Sequence, residues 1–186
     1  RDVAVTGVQT CALPILNLTP YLRFDAPNLI AVRVDHSRQT GSRYYTGSGI
    51  YRLARLIITD PVHIEHWGTF VRTPQVSAAA AQLQVETEVV NATARAQGLS
   101  VVSEVLDPTG HVVARLQSPL QLKAGESRVL PQALSVSRPQ RWSLASPVLY
   151  TLRQQVRQGE QVLDQASTPF GIRTARFDAD RGFFLN

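Results

Sequence analysis

The sequence predicts an all-β protein whose main unit is an immunoglobulin-like β-sandwich. Apolar and polar residues alternate with a period of two, and short strand-like runs recur about every ten to fifteen residues with turn residues between them. Runs with helical periodicity are almost absent. A length of 186 residues leaves room for one complete domain and part of a second.

Two strands are predicted ahead of the sandwich. In the stretch NLIAVRVDHS, Ile30, Val32 and Val34 share one face of a run that extends from Leu29 to Asp35. The second stretch, IYRLARLIIT, covers Ile50–Thr59, and its β-branched end followed by Asp-Pro favours a strand over a short helix.

About seven further strands follow Pro61. The sequence Asp107-Pro-Thr-Gly110 is a turn because proline presets φ and glycine accepts a positive φ, and Gln158-Gly159 has the same role later in the chain. Trp142 and Tyr150 are expected in the core and corner of the sandwich. The predicted strands are Val62–His66 with Thr69–Arg72, Gln82–Asn91, Leu99–Asp107, His111–Leu116, Ser127–Ser137, Leu149–Arg157 and Glu160–Ser167.

Composition excludes several classes of protein. A hydrophobic content of 44% with 18% charged residues is that of a folded globular chain. No apolar run reaches the roughly 20 residues that a membrane-spanning helix needs, so no membrane partner is expected. The net charge of +5 comes from scattered arginines rather than from a basic cluster, and nucleic acid is therefore not an expected partner.

Neither a metal site nor a cofactor is predicted. Cys11 is the single cysteine, and the four histidines are dispersed. His63 and His66 would lie on opposite faces of a strand, and Asp178 and Asp180 lack the glycine and distal glutamate of a calcium loop.

Four motifs resemble one enzyme family in their order and spacing. They are YTGSGIYR, ITDPVHIEHWGTFVRTPQVS, RWSLASPVLYTL and TPFGIRTARFDADRGFFLN, and together they resemble glycoside hydrolase family 2 of the β-galactosidase type. The resemblance implies that residues 16–60 are the C-terminal part of a truncated jelly-roll sugar-binding domain. Residues 61–172 would be the immunoglobulin-like sandwich, and residues 173–186 a linker into a TIM-barrel catalytic domain that this sequence lacks.

The first residues are interpreted separately. The segment VTGVQTCALPI resembles the translation of a sequencing-library adapter, so residues 1–15 are expected to be a non-native leader. The true N-terminus would then be missing. A bacterial origin is expected, while a periplasmic, secreted or cytoplasmic location stays open.

The resemblance also implies that this chain supplies no catalytic residue. Retaining enzymes of the family use two glutamates of the barrel, about 5 Å apart, and none of the six glutamates here matches their motifs. Glu86 and Glu88 form the closest pair, and they are interpreted as solvated carboxylates on the outer face of a strand.

A loop rich in tyrosine and glycine, GSRYYTGSGIYR, is the candidate substrate-binding segment. In the family, the corresponding loop borders the sugar pocket, which implies that Arg43, Tyr44 and Tyr45 bind substrate. Arginine can donate several hydrogen bonds to sugar hydroxyls, and a tyrosine ring can pack on a pyranose. Gly47 and Gly49 would let the loop turn into its strand. The alternative is that these residues form a packed corner between two domains.

The expected function is that of a non-catalytic scaffold within a β-galactosidase-like glycoside hydrolase. The parent enzyme would act on a β-galactoside or related glycan, and a homo-oligomeric parent is compatible with the resemblance. The alternative is a stand-alone carbohydrate-binding or adhesive immunoglobulin-like module. The apolar residues Phe183–Leu185 favour the scaffold, because an independent module is expected to finish in a polar tail.

Overall fold

The computed structural model describes residues 15–35, 37, 49, 50 and 52–186. The chain divides into two compact units, Arg1–Leu56 and Ile57–Asn186. Within the described residues, no helix has the length and apolar character that a membrane crossing requires.

The described part of the first unit is held by short local contacts. A 3-10 helix spans Thr19–Tyr21 and has a proline in its first turn. The Asn28 side chain then closes the following loop, because its Oδ1 accepts from the Arg23 amide at 2.9 Å while its Nδ2 donates to the Arg23 carbonyl at 2.8 Å.

The strands predicted over 29–35 and 50–59 are not formed among the described residues of those segments. Leu29 and Ile30 are 93% and 66% exposed, so neither face of the alternating run is buried. Alternation assigns side chains to two faces but does not supply the neighbouring backbone with which a strand must pair. The alternating pattern was therefore a wrong prediction of a paired strand.

The second unit contains nine strands. All seven predicted sandwich strands are present, and a short hairpin of two more strands follows them. Their bounds are β1 Val62–Val76, β2 Ala80–Asn91, β3 Gln97–Leu106, β4 Val112–Leu122, β5 Ser127–Ser137, β6 Tyr150–Gln158, β7 Gln161–Phe170, β8 Ala175–Asp178 and β9 Gly182–Leu185.

Two antiparallel sheets form the sandwich. One has the order β1-β2-β5 and the other the order β4-β3-β6-β7. The connections β2–β3, β4–β5 and β5–β6 pass from one sheet to the other, so each sheet contains one pair of strands distant in sequence, β2–β5 and β3–β6. At one edge, the Ile64 amide of β1 donates to Asp164 Oδ2 of β7 at 2.8 Å and joins the sheets. The all-β sandwich predicted from the sequence is confirmed.

Strand β1 bends in the middle. Its register with β2 shifts between Ile64 and Thr69, and Trp67 adopts a φ of 62°, which is unfavourable for a bulky residue. Gly68 follows, where a Cβ would lie 2.9 Å from the Glu65 Cβ. The bulge thus needs a glycine next to the exposed Trp67 side chain.

The core consists of two apolar clusters. One contains Leu83, Val136 and Leu152 among its buried side chains, and the other contains Val62, Val101 and Leu122. Each cluster takes residues from both sheets, so burial of apolar surface holds the sheets together. Polar side chains that are almost completely buried also lie in this interior: Thr87, Asn91, Ser103, Gln132 and Gln154.

Gln154 links the two sheets through a buried hydrogen-bond network. From β6, its Nε2 donates to Thr87 Oγ1 of the opposite sheet and to Ser103 Oγ at 3.2 Å. Its Oε1 accepts from Thr69 Oγ1 of β1 at 2.8 Å. Both amide protons are used, and the carbonyl is engaged, which is the condition for burying a glutamine without a large penalty.

Gln132 extends the same network from β5. Its Oε1 accepts from Ser103 Oγ at 2.6 Å, and its Nε2 donates to Ser118 Oγ at 3.0 Å and to the Val101 carbonyl at 3.3 Å. Among the described residues, no buried side-chain nitrogen or oxygen lacks a partner. Each sheet therefore contributes one glutamine that hydrogen-bonds to hydroxyl groups of the other sheet.

The turn between β3 and β4 has the geometry that the sequence predicted. The Gly110 amide donates to the Asp107 carbonyl at 2.9 Å, and Gly110 has a φ of 88°. Asp107 Oδ1 accepts from the Thr109 hydroxyl at 2.7 Å. This hydrogen bond is the main cause that lowers the pKa of the Asp107 carboxyl below its usual value.

Residues 173–186 are more ordered than the predicted polar linker. Strands β8 and β9 pair in register, Phe177 opposite Phe183 and Arg176 opposite Phe184. Asp178 Oδ1 accepts from the Asp180 and Arg181 amides at 3.2 and 3.1 Å, which closes the turn. The aspartates that sequence analysis read as a polar connection thus form a hairpin turn, a local signal that was available in the sequence.

We predict that Gln154→Leu destabilises the chain by about 1–3 kcal/mol, because it leaves buried hydroxyls without a partner. The matched control is Gln155→Leu. Gln155 is the next residue of β6 but points to the outer face, where it bonds Gln165 and Arg157. Urea unfolding of both variants measures the difference, and equal losses would show that the buried network does not contribute to stability.

A second prediction concerns acid stability. Because the folded state lowers the pKa of Asp107, its ionised form stabilises the fold above the unfolded pKa of about 4, and this contribution is lost as the pH falls through the folded pKa. Thr109→Val removes the donating hydroxyl, whereas Thr109→Ser keeps it. We expect the valine variant to be the less stable at pH 7 and the difference to shrink below about pH 4. A difference that is constant with pH in urea titrations would contradict this assignment.

Candidate functional site

The predicted substrate-binding residues Arg43, Tyr44 and Tyr45 lie outside the described residues, as does Gly47. Gly49, at the end of the same loop, is described and has a φ of 117°. This conformation favours glycine, as the sequence predicted for a loop that turns here. The binding role of the three residues stays a prediction.

Glu86 and Glu88 lie on the same outer face of β2, as predicted. Glu86 pairs with Arg72 of the neighbouring strand, and Glu88 Oε1 accepts from Ser127 Oγ at 2.7 Å. Both residues are half-buried and have cross-strand partners, so the carboxylates that sequence analysis interpreted as solvated act as pairing groups between strands.

Several carboxyl groups in the described residues have a pKa lowered by hydrogen bonds. The first cause is the Ser37 hydroxyl for Asp35, the Lys123 amide for Glu126 and the Arg176 guanidinium for Asp178. A lowered pKa keeps the group ionised, whereas a general acid near neutral pH needs a raised one. These carboxylates therefore accept hydrogen bonds that stabilise turns and strand ends.

Each of the described histidines contacts a different neighbour. His63 Nδ1 lies 2.9 Å from the Asp60 carbonyl, and His111 Nδ1 lies 2.8 Å from Thr109 Oγ1. His66 stacks on Trp67 with ring centroids 4.6 Å apart. In the part of the chain that the structure describes, no group of three histidine, cysteine, aspartate or glutamate side chains is placed to hold a metal ion.

A groove of about 570 Å³ lies on the second unit, between β1, the segment before β6 and the chain leaving β7. Trp142 and Arg173 contribute to its wall, and the Arg173 guanidinium lies 4.7 Å from the centre of the Trp142 ring. This distance is within the range of a cation–π contact. Thr73 Oγ1 of β1 donates to the Arg173 carbonyl at 2.6 Å, which holds the arginine backbone against the sandwich.

Trp142 is half-buried at this groove rather than buried in the core, which corrects the prediction from the sequence. Its amide donates to the Ile172 carbonyl at 2.8 Å, and Gly171 packs against its side chain. Arg173 covers the ring, so the indole joins two chain segments and is not an open platform for a sugar. Tyr150, by contrast, is buried as predicted, and its hydroxyl accepts from the Gln140 amide at 2.9 Å.

Sequence reasoning missed this joint between Trp142, Gly171 and Arg173. The sequence held one signal for it, the FGIR stretch at the end of β7, in which a glycine permits close approach of another side chain. The fold and these contacts define an all-β scaffold in which charged and aromatic groups serve to join strands and segments.

Comparison with known proteins identifies the family. Residues 62–173 match the family model of glycosyl hydrolases family 2. The chain is 43% identical over its whole length to beta-galactosidase BoGH2A of Bacteroides ovatus and 30% identical to a beta-glucuronidase of Formosa agariphila. The chain therefore belongs to glycosyl hydrolases family 2.

Solved structures agree with this assignment. A glycosyl hydrolase family 2 member from Bacteroides cellulosilyticus is 38% identical, with a TM-score of 0.74 over 77% of this chain and 20% of its own length. This chain spans only 22% of each of the two curated relatives. The match thus concerns an accessory, all-β portion of a much longer type of protein.

We predict that Gly171→Ala destabilises the chain by about 1–3 kcal/mol, because the new Cβ would lie 2.9 Å from Cβ and Cγ of Trp142. The control is Gly98→Ala on β3, where the added Cβ meets only the flexible end of Gln121 at 3.2 Å. The control is expected to change stability by less than about 1 kcal/mol. Thermal unfolding of both variants checks this, and a loss as small as that of the control would show that the joint tolerates a methyl group.

Proposed function

We propose that this chain is the accessory scaffold of a glycoside hydrolase that cleaves O-glycosyl bonds with catalytic residues located elsewhere in the parent protein. The supporting observation is the identity of 43% across the whole chain to a beta-galactosidase of which it spans 22%. The described glutamates support the same view, because Glu86 and Glu88 are engaged with strand neighbours.

The domain arrangement is part of this proposal. Residues 16–60 would be the C-terminal part of a jelly-roll sugar-binding domain, and residues 61–172 the sandwich. Residues 173–186 would lead into a TIM-barrel domain that carries the catalytic glutamates. The hydrogen-bonded interior supports a role of the sandwich as a rigid spacer, since Gln132 and Gln154 each connect strands of both sheets.

A β-galactoside is the proposed substrate class, with a related glycoside as the wider expectation. The relative of higher identity is a beta-galactosidase and the next a beta-glucuronidase, and both match along the whole of this chain. Since the same scaffold occurs in both, the choice between sugars would be made by side chains of the catalytic domain.

The loop with Arg43, Tyr44 and Tyr45 is proposed to border the sugar pocket of the parent enzyme. A guanidinium donates hydrogen bonds in a fixed planar geometry that fits neighbouring hydroxyls, and a tyrosine ring offers an apolar surface to a pyranose. The positive φ of Gly49 supports a sharp turn at the end of this loop.

The activity can be tested with two purified proteins, the 186-residue chain and the full-length parent. Nitrophenyl β-galactoside and β-glucuronide serve as probes. We expect sugar release by the parent and none by the chain alone. Release by the chain alone would overturn the scaffold assignment, and glycan binding by the chain without any activity in the parent would favour a stand-alone binding module.

In the parent, Arg43→Ala is expected to raise KM or lower kcat so that kcat/KM falls about ten- to hundredfold, the effect of losing one hydrogen bond from a charged donor. Arg33→Ala is the control, because the Arg33 side chain is 91% exposed and 3.8 Å from Asp35. Unchanged kinetic constants for Arg43→Ala would remove the loop from the substrate site and leave a packing role.

A further inference from the structure

Each strand at an edge of the two sandwich sheets contains one proline. The sheet orders leave β1, β4, β5 and β7 with one unpaired side, and these strands contain Pro74, Pro119, Pro131 and Pro169. The interior strands β2, β3 and β6 contain no proline. All four prolines are exposed, so packing in the core does not explain why they occur in the edge strands.

The prolines of β4, β5 and β7 direct their nitrogens to the free side of the sheet. Each lies in an uninterrupted stretch of pairing, with Pro119 opposite Ser100, Pro131 opposite Glu86 and Pro169 opposite Thr151. In an antiparallel pair, alternate residues point their N–H and C=O groups away from the paired strand. A proline has no N–H, so pairing that continues through it requires an outward position. Each of these strands therefore lacks one hydrogen-bond donor along its outer edge.

Pro131 interrupts the free edge of β5 well inside the strand, which spans Ser127–Ser137. The residues two positions away on either side, Val129 and Ala133, also direct their amides outward, because outward positions alternate. A strand added along this edge would find donors at these two residues and none between them. Pro119 interrupts β4 in the same way, within Val112–Leu122.

The opposite side of the sandwich, formed by β1 and β7, has additional obstacles to strand addition. The hydrogen bond from the Ile64 amide to Asp164 Oδ2 occupies part of both edges. Strand β1 is also bent at its bulge, and Pro74 lies in a second register shift, between Arg72 and Gln75. Bulges and prolines are both means by which edge strands avoid pairing with other chains. Every edge of the two sandwich sheets is thus interrupted.

We propose that the four edge prolines prevent strand addition to the sandwich, so that neither a second copy of the chain nor an extended peptide pairs along its edges. This inference goes beyond the proposed function, because it assigns to the edges the property of excluding partners. An edge strand with an unbroken row of donors is a template for pairing with another chain. A module that binds by accepting a donor strand needs such an edge, so the prolines also disfavour an adhesive module of that kind.

Restoring the missing donor tests the proposal. Pro131→Thr gives β5 a continuous row of outward amides, and the ring that it removes is exposed. Two copies that pair antiparallel along this edge would each contribute one restored hydrogen bond. We therefore expect the self-association constant of the 186-residue chain, measured by sedimentation, to rise about ten- to hundredfold. An unchanged constant in a variant that urea unfolding shows to be folded would contradict the proposal.

The matched control is Ala133→Thr. It introduces the same strand-favouring residue on the same face of β5 and keeps the proline. We expect this variant to associate no more strongly than the wild type. A rise equal to that of Pro131→Thr would show that strand propensity, rather than the missing donor, controls pairing, and would overturn the proposal.

Hydrogen exchange identifies the surface through which the variant associates. In Pro131→Thr, the Val129 and Ala133 amides should exchange at least about tenfold more slowly when the protein concentration is raised, because pairing along β5 protects them. Association without this protection would place the contact elsewhere and reject the edge mechanism. In the wild type, the same two amides should exchange rapidly at every concentration. Protection that grows with concentration in the wild type would overturn the proposal without relying on any variant.

Strand β4 provides an independent test if Pro131→Thr does not fold. Pro119→Thr restores the outward donor of that strand, and Gln117→Thr is its control, two residues away on the same face. We expect stronger self-association for Pro119→Thr alone. Equal association of the two variants would contradict the proposal.

Discussion

The sandwich depends on a constraint in its interior: every polar group buried between the sheets must have a hydrogen-bond partner. Gln154 and Gln132 meet this condition by hydrogen-bonding to hydroxyl groups of the opposite sheet, and both also bond the Ser103 hydroxyl, which lies on the same sheet as Gln154. Apolar burial would hold two sheets together in many relative positions. The directional hydrogen bonds favour one relative position of the sheets, because sliding one sheet over the other would leave several buried donors without acceptors.

Strand positions were largely predictable, as was pairing across the two predicted turns, whereas pairing between strands distant in sequence was not. The prediction for β5 coincides with the observed bounds, Ser127–Ser137, because alternation continues up to polar ends. The same alternation over 29–35 produced a wrong prediction, since that run has no paired neighbour among the described residues. The local alternation indicates which side chains share a face of a strand, whereas the pairing of that strand depends on the backbone of residues distant in sequence.

The joint around Trp142 shows why sites are harder to predict than strands. A tryptophan in a β-protein is most often a core residue, but here Gly171 and Arg173 hold it at the surface. Both partners lie about thirty residues further along the chain, and no pattern near the tryptophan indicates them. The predicted loop around Arg43 depends on family resemblance, because its proposed function involves a pocket formed by other parts of a longer protein.

The anchoring of Asn186 has a practical consequence for dividing the protein into pieces. Ile172 is completely buried, and beyond it Asn186 returns to the Trp142 carbonyl. A domain boundary drawn after Ile172 would remove the hydrogen bond that Asn186, fourteen residues later, donates to the Trp142 carbonyl. When domains are exchanged between members of the family, the hairpin should therefore be transferred together with the sandwich, since the base of the hairpin is hydrogen-bonded to it.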